Sequence, residues 1–98
     1  MYEVVISAKG DSDFESIVNY TSQTYGEAQA ARYVSVIRNE FLALSEMPTI
    51  GHLRKDIPSR YRARNAGQHL IIYEISEKNK IVSIIRILHT QMDFSSKF

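Results

Sequence analysis

An α+β fold, a helical hairpin packed on one face of a small, mostly antiparallel sheet in the order β-α-α-β-β-β, is predicted by three features of this 98-residue chain. Apolar residues recur at spacings of three and four between Phe14 and Leu44, the period of helices with one buried stripe. Three stretches after residue 59 alternate or run apolar over strand lengths, joined by short polar turns. The last of them, Ile81 to Leu88, carries Ile, Val or Leu at six of its eight positions, the composition of a central strand.

Tyr2 to Ala8 reads as the first strand, with Tyr2, Val4 and Ile6 on one face, and Gly10 breaks it. Ser12-Asp13-Phe14-Glu15 fits a capping box and predicts that a helix opens there. Phe14, Ile17, Val18 and Thr21 form its stripe, and Gly26 supplies the left-handed residue that closes it. Glu27 suits the positive N-terminal end of a second helix, whose stripe is Ala28, Ala31, Val34, Ile37, Phe41 and Leu44. Pro48 stops that helix at Met47. Thr49 to Ser59 is a loop. Arg60-Tyr61-Arg62-Ala63-Arg64 alternates strictly and predicts a strand with three guanidinium groups on one face. Asn65 to Gln68 is a turn, His69 to Ile75 the next strand, and Ser76 to Lys80 the turn into the last one.

Both alternating sets of the last two strands are apolar. Ile71, Tyr73 and Ile75 oppose Leu70 and Ile72; Ile81, Ser83, Ile85 and Ile87 oppose Val82, Ile84, Arg86 and Leu88. Two helices cover one sheet face. The other must be shielded by the tail with Phe94 and Phe98, by a partner, or left bare, which monomers seldom tolerate. A bound partner on that face is the expectation.

Length and composition describe a single domain, residues 1–98, with an ordinary 44% hydrophobic content. The absence of cysteine excludes disulfides and thiolate metal sites and suits a reducing cytoplasm. No apolar run approaches the roughly 20 residues of a membrane helix, and the start reads straight into a strand without an export signal. Net charge is only +1, but Met1 to Met47 holds three Lys or Arg against seven Asp or Glu, whereas Gly51 to His69 holds five against the single Asp56. Such a polarised chain has an acidic helical half and a basic middle.

Several anchors recur in a known order: Tyr20 and Gly26-Glu27-Ala28, then Tyr33, Phe41, Leu44, Pro48, Gly51 and Arg54. Tyr61-Arg62, Gly67-His69-Ile71-Tyr73 and Ile84-Ile85-Arg86-Ile87-Leu88-His89 with Met92-Asp93 complete the set. This set spans nearly the whole chain and resembles the ParE branch of the RelE/ParE toxin superfamily. The resemblance implies the toxin of a bacterial type II toxin–antitoxin module. Its partners would be a ParD-like antitoxin whose C-terminal segment wraps it and DNA gyrase, which the free toxin poisons by binding. RelE-like relatives instead cut messenger RNA on the ribosome, and a third reading is an inactive toxin fold that only titrates antitoxins. Two positions depart from the family pattern: Gln91 stands where an Arg often precedes the Met-Asp pair, and Ala8-Lys9-Gly10 lacks the proline many members carry after the first strand.

Cleaving RNA through its 2′-hydroxyl needs a base, an acid and a cation for the crowded phosphate. In a ribonuclease, His89, Arg86 and Arg62 would fill these roles. RelE-like nucleases carry acid–base residues near the C-terminus, where this chain has Met92 and Asp93, and a lone His without a second acid–base group nearby in sequence favours binding over catalysis. The expected contacts with target or antitoxin are Arg60, Arg62, Arg64, Arg86, His89, Met92 and Asp93. Each has a plainer reading. The arginine strand is equally a solvated edge, His89 a hydrogen bond at a strand's end, and Arg86 one half of an ion pair with a carboxylate such as Asp93. Whether nucleic acid is touched directly stays open on sequence. His52, His69 and His89 are too widely spaced for a recognisable metal motif, and no phosphate-binding loop or nucleophile elbow is present, so no cofactor is expected.

Overall fold

The computed structural model describes residues 1–98 and has strand β1 (Glu3–Ile6), helices α1 (Ala8–Tyr25) and α2 (Glu27–Glu46) and a 3-10 turn at Pro48–Ile50. Strands β2 (Arg62–Ala66), β3 (His69–Ser76) and β4 (Ile81–His89) follow. The sheet order is β1-β4-β3-β2. β1 runs parallel to β4, and the other two pairings are antiparallel. The predicted α+β hairpin-on-sheet architecture is the one observed. No helix is long and apolar enough to cross a membrane.

The start of α1 differs from the sequence expectation. Its N-cap is Ser7, not Ser12, and Gly10 lies inside the first turn instead of breaking the chain. Ser7 Oγ accepts the Gly10 amide at 3.0 Å and donates to the Ile85 carbonyl at 2.8 Å, so one hydroxyl caps the helix and ties it to β4. Gly10 is there for clearance: a Cβ would lie 3.0 Å from the Ile84 carbonyl oxygen. Gly26, with φ at 94°, joins the helices as expected, its amide bonding Ser22 O. α2 ends at Glu46, just ahead of Pro48.

The arginine strand is displaced. The Tyr61 amide bonds Pro58 O within a turn, so Arg60 belongs to the loop, and β2 begins at Arg62 and continues through Asn65 and Ala66. Gly67 and Gln68 alone make the hairpin turn, with Gly67 at φ 59°.

A register shift splits β4. Tyr73 pairs with Ile84 but Ile72 pairs with Arg86, leaving Ile85 without a partner on β3. Beyond this bulge the faces exchange, so Ile87 joins Val82 and Ile84 under the helices instead of opposing them. Strict alternation in the sequence predicted the opposite grouping. Because both sets are apolar, nothing in the pattern marked the extra residue.

Two cores result. Under the helices lie Ile37, Leu44, Ala66, Ile71, Tyr73, Val82, Ile84 and Ile87. Tyr73 is fully buried, its hydroxyl donating to Pro48 O at 2.5 Å and accepting the Gly51 amide at 2.9 Å. On the opposite face Leu70, Ile72 and Leu88 pack against Ile57, Tyr61 and Phe94. The chain's own loop and tail therefore close the second face, with Phe94 only 2% exposed. The expectation of a partner lying there is corrected: that surface is occupied before any partner arrives.

Candidate functional site

The residues expected to share a surface do not. Arg86 lies at the bulge and donates both Nε and Nη2 to the Asp13 carboxylate of α1, at 2.7 and 2.9 Å, and Asp13 also accepts the Ile87 amide at 3.0 Å. Both side chains are 17% exposed. The pair completes the free edge of β4 where β1 stops: the Ser7 amide and hydroxyl bond the Ile84 and Ile85 carbonyls, and Asp13 takes the next amide. Hydrogen bonds to Asp13 hold the Arg86 guanidinium protonated above its ordinary range. An ion-pair partner was anticipated, but as Asp93; the structure supplies Asp13 instead.

The basic middle is equally tied down. Arg62 donates to Gly51 O at 3.1 Å and Arg64 to Glu40 at 2.7 Å, both on the helix side of the sheet's far edge. Arg60 lies in the loop with its guanidinium 4.5 Å over its neighbour Tyr61. The open face of three guanidinium groups expected from alternation is not formed. Met92 and Asp93 fall in the tail, beside Lys55 to Pro58 at a shallow concavity of about 590 Å³. Asp93 accepts the Ser95 amide at 3.0 Å, which holds its carboxyl below the usual carboxylate range.

His89 is the expected residue that reaches a cleft with chemistry in it. β3 and β4 pair His69 directly opposite His89, and the rings meet edge to face with centroids 5.3 Å apart. The second acid–base group absent from the neighbouring sequence is thus present in space. On its other side His69 Nδ1 lies 2.6 Å from the Tyr33 hydroxyl of α2. That oxygen also accepts the Gln68 amide at 3.0 Å, and the Tyr33 ring fills the space a side chain at Gly67 would need. The same hydroxyl reaches the Ala66 carbonyl at 3.2 Å, so Tyr33 ties α2 to both sides of the β2–β3 turn. His89 Nδ1 accepts the Gln91 amide at 3.1 Å. Burial, and then the proximity of His89, lowers the pKa of His69, partly opposed by Asp13; burial raises that of Tyr33, partly opposed by the Gln68 amide.

These groups line a cleft of about 510 Å³ between α1, α2 and the β2–β3 turn, with Ser16, Tyr20, Tyr25 and Gln29 on the helical walls. No Lys, Arg, Asp or Glu lines it. Sequence reading named Tyr20 and Tyr33 only among the anchors of the family resemblance, and His69 there and as a metal ligand set aside on spacing. The cross-strand histidine pair depends on the β3–β4 register, which the unmarked bulge shifts, and Tyr33 has no local signal either.

Comparison with known proteins adds the following. A sequence model described as the ParE toxin of type II toxin–antitoxin system, parDE, matches residues 4–94. Toxin ParE1 of Caulobacter vibrioides is 28% identical over 88 residues, covering 90% of this chain and 88% of that one. Among solved structures, a chain of the chromosomal ParDE system from P. aeruginosa superposes with a TM-score of 0.78 at 17% identity, covering 93% of this chain and 98% of that one. A chain of the RelBE2 toxin–antitoxin complex of Mycobacterium tuberculosis gives 0.66 at 19% identity, over 90% and 96%.

Proposed function

This chain belongs to the ParE toxin family of type II toxin–antitoxin systems, and from that premise we propose that it is held by a ParD-like antitoxin and, when free, poisons DNA gyrase by binding it, with no reaction catalysed by the toxin itself. The observation that supports a binding role is the lining of the histidine cleft. A ribonuclease needs a cation where its acid and base converge, because the scissile phosphate gathers negative charge in the transition state. His69 and His89 converge in a cleft without one, and the two arginines a nuclease would recruit are committed elsewhere, Arg62 to Gly51 O and Arg86 to Asp13.

The antitoxin has an open surface on the opposite side of the hairpin. Glu3 and Ser7 of the β1 region turn their amides to β4, so by parallel-strand alternation Val4 and Ile6 turn theirs outward. Beside this free edge run two shallow grooves lined by Val4, Ile6, Phe14, Phe41 and Leu42, with Arg38 shared by both. An extended segment adding to β1, or an amphipathic helix laid over Phe41 and Leu42, suits this shape. Arg38, engaged in no ion pair, is the one charge of the groove over Leu42, while the groove at Phe14 also carries Asp11 and Glu15.

A supercoiling assay with purified gyrase tests the target. The expected outcome is loss of supercoiling as toxin approaches gyrase in concentration, reversed by antitoxin. Full supercoiling at excess toxin, together with cut transcripts in a translating extract, would overturn it in favour of a RelE-type ribonuclease.

A further inference from the structure

We infer that the facing imidazoles of His69 and His89 form a proton-operated joint, in which acid unfastens the turn that launches the C-terminal tail and leaves the anchorage of α2 intact. The joint is built from this chain's own hydrogen bonds and holds whether or not the toxin reading above is right.

The two rings answer a proton in opposite ways. A backbone amide can only donate, so the Gln91 amide, 3.1 Å from Nδ1 of His89, requires a lone pair on that nitrogen. A protonated imidazole carries hydrogen on both nitrogens, and the Gln91 amide then has no acceptor there. His69 is held otherwise. Its Nδ1 lies 2.6 Å from the Tyr33 hydroxyl, which also reaches the Ala66 carbonyl at 3.2 Å and accepts the Gln68 amide at 3.0 Å. Facing a bare Nδ1, the hydroxyl turns its proton to the ring. Facing Nδ1–H, it accepts that hydrogen and turns its own proton to Ala66. Tyr33 therefore stays bound to the β2–β3 turn in either state, whereas the Gln91 bond exists in one state only.

Little nearby offsets an added positive charge. The rings stand opposite each other across β3 and β4 with centroids 5.3 Å apart, so a proton on one opposes a proton on the other. From α1, Asp13 acts on His69, but it is already bonded to Arg86 and the Ile87 amide. Otherwise α1 brings Tyr20 and Tyr25, α2 brings Tyr33 and the β2–β3 turn brings Gln68; no Lys, Arg, Asp or Glu lines the cleft. In the tail, the Asp93 carboxylate is turned to the Ser95 amide. Burial, then the proximity of His89, lowers the pKa of His69.

The turn matters because the tail beyond it has few other ties. The Thr90 amide bonds Gln68 O, and the Met92 amide bonds back to His89 O. The later amides of Ser95 and Lys97 bond within the tail, to Asp93 and Phe94. Side chains fasten the rest: Phe94 in the second core with Arg54 over its ring, Phe98 against Tyr61, and Arg86 reaching Lys97 O. Losing the Gln91 bond thus removes one of a small number of closures.

The test follows the full chain by NMR between about pH 7.5 and about pH 5.5, the range in which imidazole ordinarily titrates. As the His89 ring takes up a proton, the Gln91 amide should lose about five-fold in protection from exchange, corrected for the intrinsic rate, the worth of one ordinary hydrogen bond. The Gln68 amide should keep its protection while His69 titrates. A Gln91 amide equally protected at both ends of the range, or Gln68 and Gln91 amides freed together, would overturn the joint. Digestion by a carboxypeptidase reads the consequence for the tail. His89→Asn sets an amide oxygen about where Nδ1 stood and does not titrate. It should be trimmed as slowly as wild type at the higher pH and about five-fold more slowly at the lower one. The same ratio of rates at both pH values would show that the proton does not reach the tail, and would overturn the inference as well. The amide measurement uses wild type alone, so it decides the matter if the variant fails to fold.

Discussion

Arg86 and Asp13 show how much a single pair decides at the level of residues. The carboxylate binds a guanidinium through both oxygens and also satisfies a backbone amide that β1 is too short to reach. Removing it leaves a mostly buried cation and an orphaned amide together. Asp13→Ala should destabilise the fold by about 3 kcal/mol, the low end of the cost of breaking a buried pair, and lower the melting temperature by more than about 10 °C. Asp13→Asn, which keeps an acceptor for the Ile87 amide, should lose less. A melting temperature within about 2 °C of wild type for Asp13→Ala would show the pair to be incidental. His69 gives a second prediction. Its pKa in the folded state lies below the ordinary 6.5 because burial disfavours the charged ring. The unfolded chain then takes up the proton first, so the contribution is complete above pH 6.5 and is lost as pH falls through the lowered value. Melting curves from pH 8 to 5 should show stability declining below about 6.5, and His69→Gln should remove that part of the slope.

Among the elements, the helical hairpin was legible because its signals are local. The three-and-four spacing, Gly26 between the helices and Pro48 after them are each readable within a few residues. The opening of α1 was not, since Ser12 begins a capping box whereas Ser7, the cap that forms, falls in the stretch that reads as strand. What selects Ser7 is the free edge of β4, whose Ile85 carbonyl takes the same hydroxyl's proton from 78 residues away. The β4 bulge was invisible for a related reason: a strand apolar on both faces carries no register mark. The site divided along the same line. His89 was found because it follows a conspicuous strand, whereas its companions Tyr33 and His69 are assembled by pairing and by the Gly67 turn. β1 is the element with an open edge, and its short length and the adjoining Leu42, 63% exposed, define a surface that needs no role in folding. Leu42→Arg should therefore leave the melting temperature within about 2 °C. It should weaken antitoxin binding by about ten-fold or more, through lost apolar burial and repulsion with Arg38. Calorimetric titration checks both halves, and unchanged affinity would move the antitoxin off this face.

For the molecule as a whole, what matters is which apolar surface is left once the chain has folded on itself. An apolar second sheet face argued from sequence for a bound partner if the tail did not cover it, and Phe94, Ile57 and Tyr61 fill it from within the same chain. Arg54 stacks over the Phe94 ring at 5.2 Å, and Phe98 meets Tyr61 at 5.6 Å, so the tail is fastened from both sides. The isolated protein is consequently expected to be monomeric and to bind little hydrophobic dye. The closure should depend on one side chain. Phe94→Ala empties the centre of the second core and should cost about 3 kcal/mol, as large-to-small core changes do. It should also release the tail and bare Leu70, Ile72 and Leu88 to a dye such as anilinonaphthalene sulfonate. Dye fluorescence and sedimentation of wild type and variant decide the matter: strong dye binding by the wild type would restore the open-face reading, and a silent Phe94→Ala would show that the tail is not what closes the sheet.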